Sequence, residues 1–200
     1  MKLFCHKSIR NIGIGALALA AGLAQAHTGH GTSGLAEGLI HPFGLDHLLA
    51  MLAVGIWSVS ALPANKTWWG PVAFMLSLIF GAALGTTGLT VPFLEHLISL
   101  SVVLFGTMLV LTRQKLPIPL GLGMVAVAAS LHGLAHGAET PENGFATYAA
   151  GFLLTTAALH FGGVITGLFI RRFLARRTTW VISAVGALFA GTGLYLFSQL

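Results

Sequence analysis

Six apolar stretches dominate the sequence, separated by short polar or proline-containing breaks. They lie near 39–61, 69–89, 93–112, 118–137, 145–170 and 180–199. Each is long enough to cross the roughly 30 Å hydrocarbon core of a bilayer as an α-helix rising about 1.5 Å per residue. The short alternating segments of a membrane β-barrel are absent. Pro63, Pro71, Pro92, Pro117 and Pro141 fall at or near the breaks, where a residue without an amide hydrogen begins or ends a helix at little cost. The pattern predicts an all-α membrane protein with six transmembrane helices.

A shorter apolar run, Ile12 to Leu23, precedes these six. Lys2, Lys7 and Arg10 lead into it, and Ala24-Gln25-Ala26 follows as a small-x-small site. That order of basic, apolar and small residues reads as a cleavable signal peptide over residues 1–26. His27 then opens a single six-helix transmembrane domain, residues 27–200.

Composition agrees. Hydrophobic residues make up 56% of the chain and charged residues only 8%, against about 25% charged in a soluble domain. No stretch is polar enough for a separate soluble domain. The net charge of +5 at pH 7 invites a nucleic-acid reading, but its distribution answers otherwise. After the signal, the basic residues are Lys66, then Arg113 and Lys115, then Arg171, Arg172, Arg176 and Arg177, all in alternate breaks. Glu37, Glu95, Glu139 and Glu142 occupy the other side. The positive-inside rule makes the basic breaks cytoplasmic. Both mature termini are then periplasmic, in a multi-pass protein of a bacterial inner membrane. The lipid bilayer explains the charge, and no nucleic-acid partner is needed.

Against this background a few polar residues are out of place. The first span begins "HPFGLDHLLAM", placing His41 at its lip and Asp46 and His47 about 8–9 Å further along a helix axis. Met51 follows His47 by four residues and shares its face. The fourth span ends "SLHGLAHGAE", where His132, His136 and Glu139 have the i, i+4, i+7 spacing of a single face. The two clusters fall at the same depth and are expected to face one shared, wetted cavity. Imidazole with carboxylate suits a divalent transition-metal ion, and ionisable groups within a membrane are usually functional. Asp46 or Glu139 is alternatively a partner that fixes a histidine tautomer. His160 lies about two thirds of the way along the fifth span, as a further stop on a path inward or as an interhelical hydrogen bond. His27 and His30 are candidates for capturing metal, or simply tail. Glu95 and His96 open the third span and read as interfacial, as do Trp68 and Trp69. Cys5 is the only cysteine and falls in the expected signal, so no thiolate ligand remains after cleavage. Gly81 and Gly85, Gly133 and Gly137, and Gly163 and Gly167 recur at the four-residue spacing that lets membrane helices approach closely.

These residues carry a resemblance. "HPFGLDHLLAMLAVG", "HGLAHGAE" and "LHFGG" around His160, with a signal and six spans, resemble the HupE/UreJ family of bacterial nickel/cobalt permeases over nearly the whole chain. The resemblance implies inner-membrane uptake of Ni²⁺, in some members Co²⁺, in support of hydrogenase or urease maturation. It carries metal-transport roles onto His41, Asp46, His47 and Glu139, with His132 and His136 in the same motif. In this sequence the first motif is His-x4-Asp-His, one residue shorter than the family's usual spacing. One residue turns a helical position by about 100°, which puts the role of His41 in question.

The expected activity is therefore passage of a divalent ion, by facilitated diffusion, with no permanently bound cofactor. The chain is not expected to be an enzyme, and a homo-oligomer is compatible with the sequence. The competing reading is a membrane-embedded zinc hydrolase with Glu139 as general base, which needs three protein ligands and an open position. No HExxH motif supports it. A haem-binding subunit is disfavoured because His132 and His136 lie on one side of one helix.

Overall fold

The structure, a computed structural model, describes residues 34–114, 116–138 and 145–200. The expected signal peptide, His27, His30 and Glu139 lie outside the described residues. Among the described residues all regular structure is helical. In chain order come α1 (Leu35–Ile40), a 3₁₀ turn (His41–Phe43), α2 (Leu45–Ala61), α3 (Trp69–Gly85), α4 (Leu94–Val110), α5 (Ile118–Ala138), α6 (Phe145–Phe173) and α7 (Thr178–Phe197). Short 3₁₀ turns at Ala64–Lys66, Thr112–Gln114 and Ala175–Arg177 carry four of the six Lys and Arg residues among the described residues.

The expected first span is not one helix. Its two parts, Leu35–Phe43 and Leu45–Ala61, meet at 73°. Pro42 stands at the start of the 3₁₀ turn, and Gly44 leaves helical geometry with φ −49° and ψ 138°. An extended residue breaks the i to i−4 ladder, so the chain turns before α2 begins. Four further segments are long and apolar enough to cross a membrane: Ala64–Gly85, Ile118–Ala138, Phe145–Phe173 and Ala175–Phe197. The bent pair counted as one makes five. The other expected span, α4, has 17 residues and is about 25 Å long, shorter than the average hydrocarbon core.

Helix α2 lies at the centre. From Leu49 to Val59 every residue but Leu52 is buried, as a helix surrounded by others must be. α6 packs along both α1 and α2, α3 pairs with α5, and α4 pairs with α7 while also touching α2. The outside is apolar: Leu76, Phe80, Val127, Leu154, Trp180 and Leu188 all project outward. Such a surface belongs in lipid, and the molecule is a multi-pass membrane protein.

Lipid offers no hydrophobic drive between helices, so close backbone packing must supply cohesion. The glycines at four-residue spacing do this. A β-carbon on Gly133 would fall on the Leu78 carbonyl, and one on Gly137 on the Ala82 carbonyl. From the other side, Gly81 faces the Ser130 carbonyl and Gly85 the Leu134 carbonyl. Gly133→Ala therefore forces α3 from α5. We expect a loss of about 1–3 kcal/mol, the usual range for overpacking, seen as a lower melting temperature of the detergent-solubilised protein. An unchanged melting temperature would mean that this interface has slack.

The two ends of the bundle differ in character. At one end Arg171 Nη1 donates to the Val59 carbonyl at 2.8 Å, and Ser183 Oγ donates to the Val110 carbonyl at 3.4 Å. The ends of α2, α4 and α6 that carry or adjoin the basic turns thus meet there. The start of α2, the end of α5 and the start of α6 gather at the other end, with the histidines.

Candidate metal centre

The break before α2 controls the site. It places Asp46 and His47 in the first turn of α2 and swings His41 back over them. The ring centroids of His41 and His47 lie 5.9 Å apart, closer than the 8–9 Å expected of an unbroken helix. His41 stands in the 3₁₀ turn and not on α2, so the turn of about 100° per residue along a single helix does not set its direction.

From α5, His136 meets both. Its ring centroid is 4.7 Å from that of His41 and 4.7 Å from that of His47. One nitrogen from each of His41, His47 and His136 falls within a common group no more than 4.8 Å across. The His47 and His136 Nε2 atoms are 2.5 Å apart. Imidazole nitrogens sit about 2.1 Å from a bound transition-metal ion, which sets neighbouring ones about 3 Å apart. The two rings need part only slightly to share an ion.

Asp46 orders this arrangement. Its Oδ1 accepts from the His47 backbone N–H at 2.8 Å and lies 2.8 Å from His47 Nδ1. The second approach lies off the line of an N–H there, so it acts through charge rather than as an aligned hydrogen bond. A carboxylate only accepts. The proton of neutral His47 is therefore favoured on Nδ1, leaving the Nε2 lone pair facing His136.

His132, one turn before His136, packs its ring 4.7 Å from that of His47. Its Nε2 is 2.8 Å from Ser101 Oγ. Ser101 already donates to the Ile98 carbonyl at 2.6 Å, so here its oxygen accepts and His132 Nε2 carries the proton. His132 Nδ1 is left with a lone pair, buried and without a hydrogen-bond partner.

The surroundings are largely apolar and enclosed. His47 and His132 are fully enclosed, and His136 is 5% exposed. The rings of Phe152 and Tyr148 from α6 wall in His136 and His41. An apolar cavity of about 300 Å³, lined by Leu78, Ala82, Tyr148 and Phe152 among others, adjoins His136. Helix packing encloses His47 and His132, while His41 and Asp46 remain partly exposed.

Other candidates are placed differently. Met51 is fully buried within the hydrophobic core, and among the described residues the group of converging ligand atoms consists of the three histidines. His160 stands near the midpoint of α6 (Phe145–Phe173), short of two thirds along, because α6 runs to Phe173. His96 packs between Phe93 and Phe197, joining the start of α4 to the end of α7. Trp68 and Trp69 are about half exposed, as interfacial residues are. Phe74, Ser101, Tyr148 and Phe152 line the cluster without having been singled out. Ser101 left a signal, a hydroxyl amid an apolar run; the aromatic residues left none.

A cluster of three imidazoles beside a carboxylate, within apolar helices, is the setting in which the comparisons with known proteins are informative. The family described as HupE / UreJ protein matches residues 15–196. The chain belongs to the HupE/UreJ family. A curated relative, Protein HupE of Rhizobium leguminosarum bv. viciae, is 43% identical over 162 residues, covering 80% of this chain and 82% of that protein. No solved structure matches the chain. Membership of the HupE/UreJ family points to a nickel/cobalt transport-related role, of transporter rather than enzymatic type.

Proposed function

We propose that this HupE/UreJ protein is a permease that carries Ni²⁺, or Co²⁺, across the bacterial inner membrane into the cytoplasm. The ion is a substrate, held in passing by His41, His47 and His136, with Asp46 orienting His47 and His132 next in line. The expected set also names Met51 and His160, together with Glu139 and His27, which lie outside the described residues. The observation that carries this reading is the convergence of three imidazoles from a turn and two separate helices on one point.

The topology follows the sequence: a signal peptide over residues 1–26, then six spans with α4 as the short one, and both mature termini periplasmic. The basic ends of α2, α4 and α6 then face the cytoplasm, opposite the histidines. The ion delivered inside serves hydrogenase or urease maturation.

Transport needs a site tight enough to replace water and loose enough to release. The membrane potential suffices as a driving force. At about 2.3 kcal/mol per charge per 100 mV, a divalent ion gains about 4.6 kcal/mol, an inward bias above about a thousandfold. Cells producing the protein should accumulate ⁶³Ni²⁺ above cells lacking it, and an ionophore that collapses the potential should abolish the difference. Uptake that survives the collapse but needs a proton gradient would make the protein a symporter. Accumulation equal in the two kinds of cell would end the permease reading.

A further inference from the structure

The rings around the candidate site do not end with the three histidines. Phe74 of α3 lies against His132, with centroids 6.0 Å apart, and against His160 on its other side, at 4.7 Å. Phe74 is completely buried. The order across the bundle is thus His41, His136, His47, His132, Phe74, His160: five imidazoles interrupted by one phenyl ring.

His160 is prepared in the same manner as His132. Its Nδ1 lies 2.8 Å from the Thr156 carbonyl. A carbonyl oxygen can only accept, so Nδ1 carries the proton and Nε2 carries a lone pair. That Nε2 is buried and has no hydrogen-bond partner, and His160 as a whole is 1% exposed. The hydroxyl of Thr156, one turn earlier, is also buried without a partner. A buried nitrogen left unsatisfied costs about 1–3 kcal/mol, so its presence calls for a use.

The position is deeper than the three-histidine cluster. A β-carbon on Gly55 would fall against the His160 carbonyl. Gly55 is eight residues beyond His47 on α2, about 12 Å along the axis. His160 is therefore not in the group of converging nitrogens, and Phe74 packs against both it and His132.

We infer that His160 is a second, inner station for the divalent ion, and that the Phe74 ring is the shutter between it and the outer histidines. This rests on the permease reading. A phenyl ring has no lone pair to ligate an ion, although its face attracts a cation. An ion bound at His47 and His132 can reach His160 only when the ring turns aside. The helix itself cannot supply the motion, because the glycine contacts with α5 hold α3 in place at Gly81 and Gly85. The side-chain torsions of Phe74 remain. Two stations with a shutter allow the outer site to strip water while the inner one releases.

The test uses the purified full-length protein, titrated with NiCl₂ and reconstituted into liposomes for ⁶³Ni²⁺ uptake under an imposed potential. His160→Asn keeps a side-chain N–H near the Nδ1 position and removes the ligating nitrogen. It is expected to bind one Ni²⁺ fewer per chain than the wild type, keep the tight outer site and lose about tenfold or more in uptake rate. Phe74→Ala is expected to keep the wild-type stoichiometry and raise the initial rate several-fold. A monodisperse size-exclusion profile and a cooperative melt qualify both variants, Phe74→Ala being expected to melt lower because its ring is buried. If His160→Asn binds and transports as the wild type does, or Phe74→Ala leaves the rate unchanged, the inference is overturned and the permease reading stands. If the wild type neither binds nor transports Ni²⁺, both fall.

Discussion

His136→Ala is expected to reduce ⁶³Ni²⁺ accumulation to that of cells lacking the protein, with the variant still present in the membrane at the wild-type level. His136 is the meeting point of the cluster: its ring lies 4.7 Å from both His41 and His47, which come from the turn and from α2. Without it, two imidazoles on one side face apolar surface from Phe152 and Leu78 on the other. Loss of an orienting partner alone commonly costs about 10–100-fold in metal affinity, and loss of a ligand costs more, so uptake should fall by over about 100-fold. Immunoblots of membrane fractions separate this from failure to fold. Near-native uptake would move the site away from α5. His132→Ala, which also lies on α5 but bonds to Ser101, should bind Ni²⁺ at the outer cluster and slow its onward passage. The contrast between two histidines one turn apart distinguishes a ligand from a later step.

Much of this was legible in the sequence because apolar length and glycine spacing are local properties. The stretch 118–137 became Ile118–Ala138, and the paired glycines of the second and fourth spans became the α3–α5 contact. The meeting of two histidine clusters followed from depth counting along helices. What depth counting could not supply was the 73° turn before α2. Gly44 is one of 26 glycines, and nothing local says which of them will stop a helix. That turn determines where His41 goes, which counting residues along one helix cannot give. The aromatic walls were illegible for a different reason. Phe74 and Phe152 read like any other apolar position of a membrane helix, and their closeness to histidines depends on how separate helices rotate against one another. Met51 shares a helix with His47, yet its side chain is spent on the core.

Asp46→Asn should lower Ni²⁺ affinity by about 10–100-fold while leaving the three imidazoles in place. The carboxylate is 15% exposed and its Oδ1 sits 2.8 Å from His47 Nδ1. Its charge favours the tautomer with the proton on Nδ1 and the lone pair on Nε2, aimed at His136. An asparagine keeps the acceptor for the His47 backbone amide, so the first turn of α2 should survive. It removes the charge that favours a proton on Nδ1, and if the amide flips, giving up the backbone acceptor, an N–H faces Nδ1 and favours the opposite tautomer, with a proton where the ion must bind. It also removes a negative charge beside the cluster, so a divalent ion there loses a neutralising partner in surroundings that screen little. Isothermal titration with NiCl₂ measures the affinity, and ¹⁵N chemical shifts of the His47 ring report which nitrogen carries the proton. A tautomer change accompanied by weakened binding is the expected pair of results. Weakened binding with Nδ1 still protonated would leave charge neutralisation as the whole role of Asp46, and unchanged binding would detach Asp46 from the site altogether.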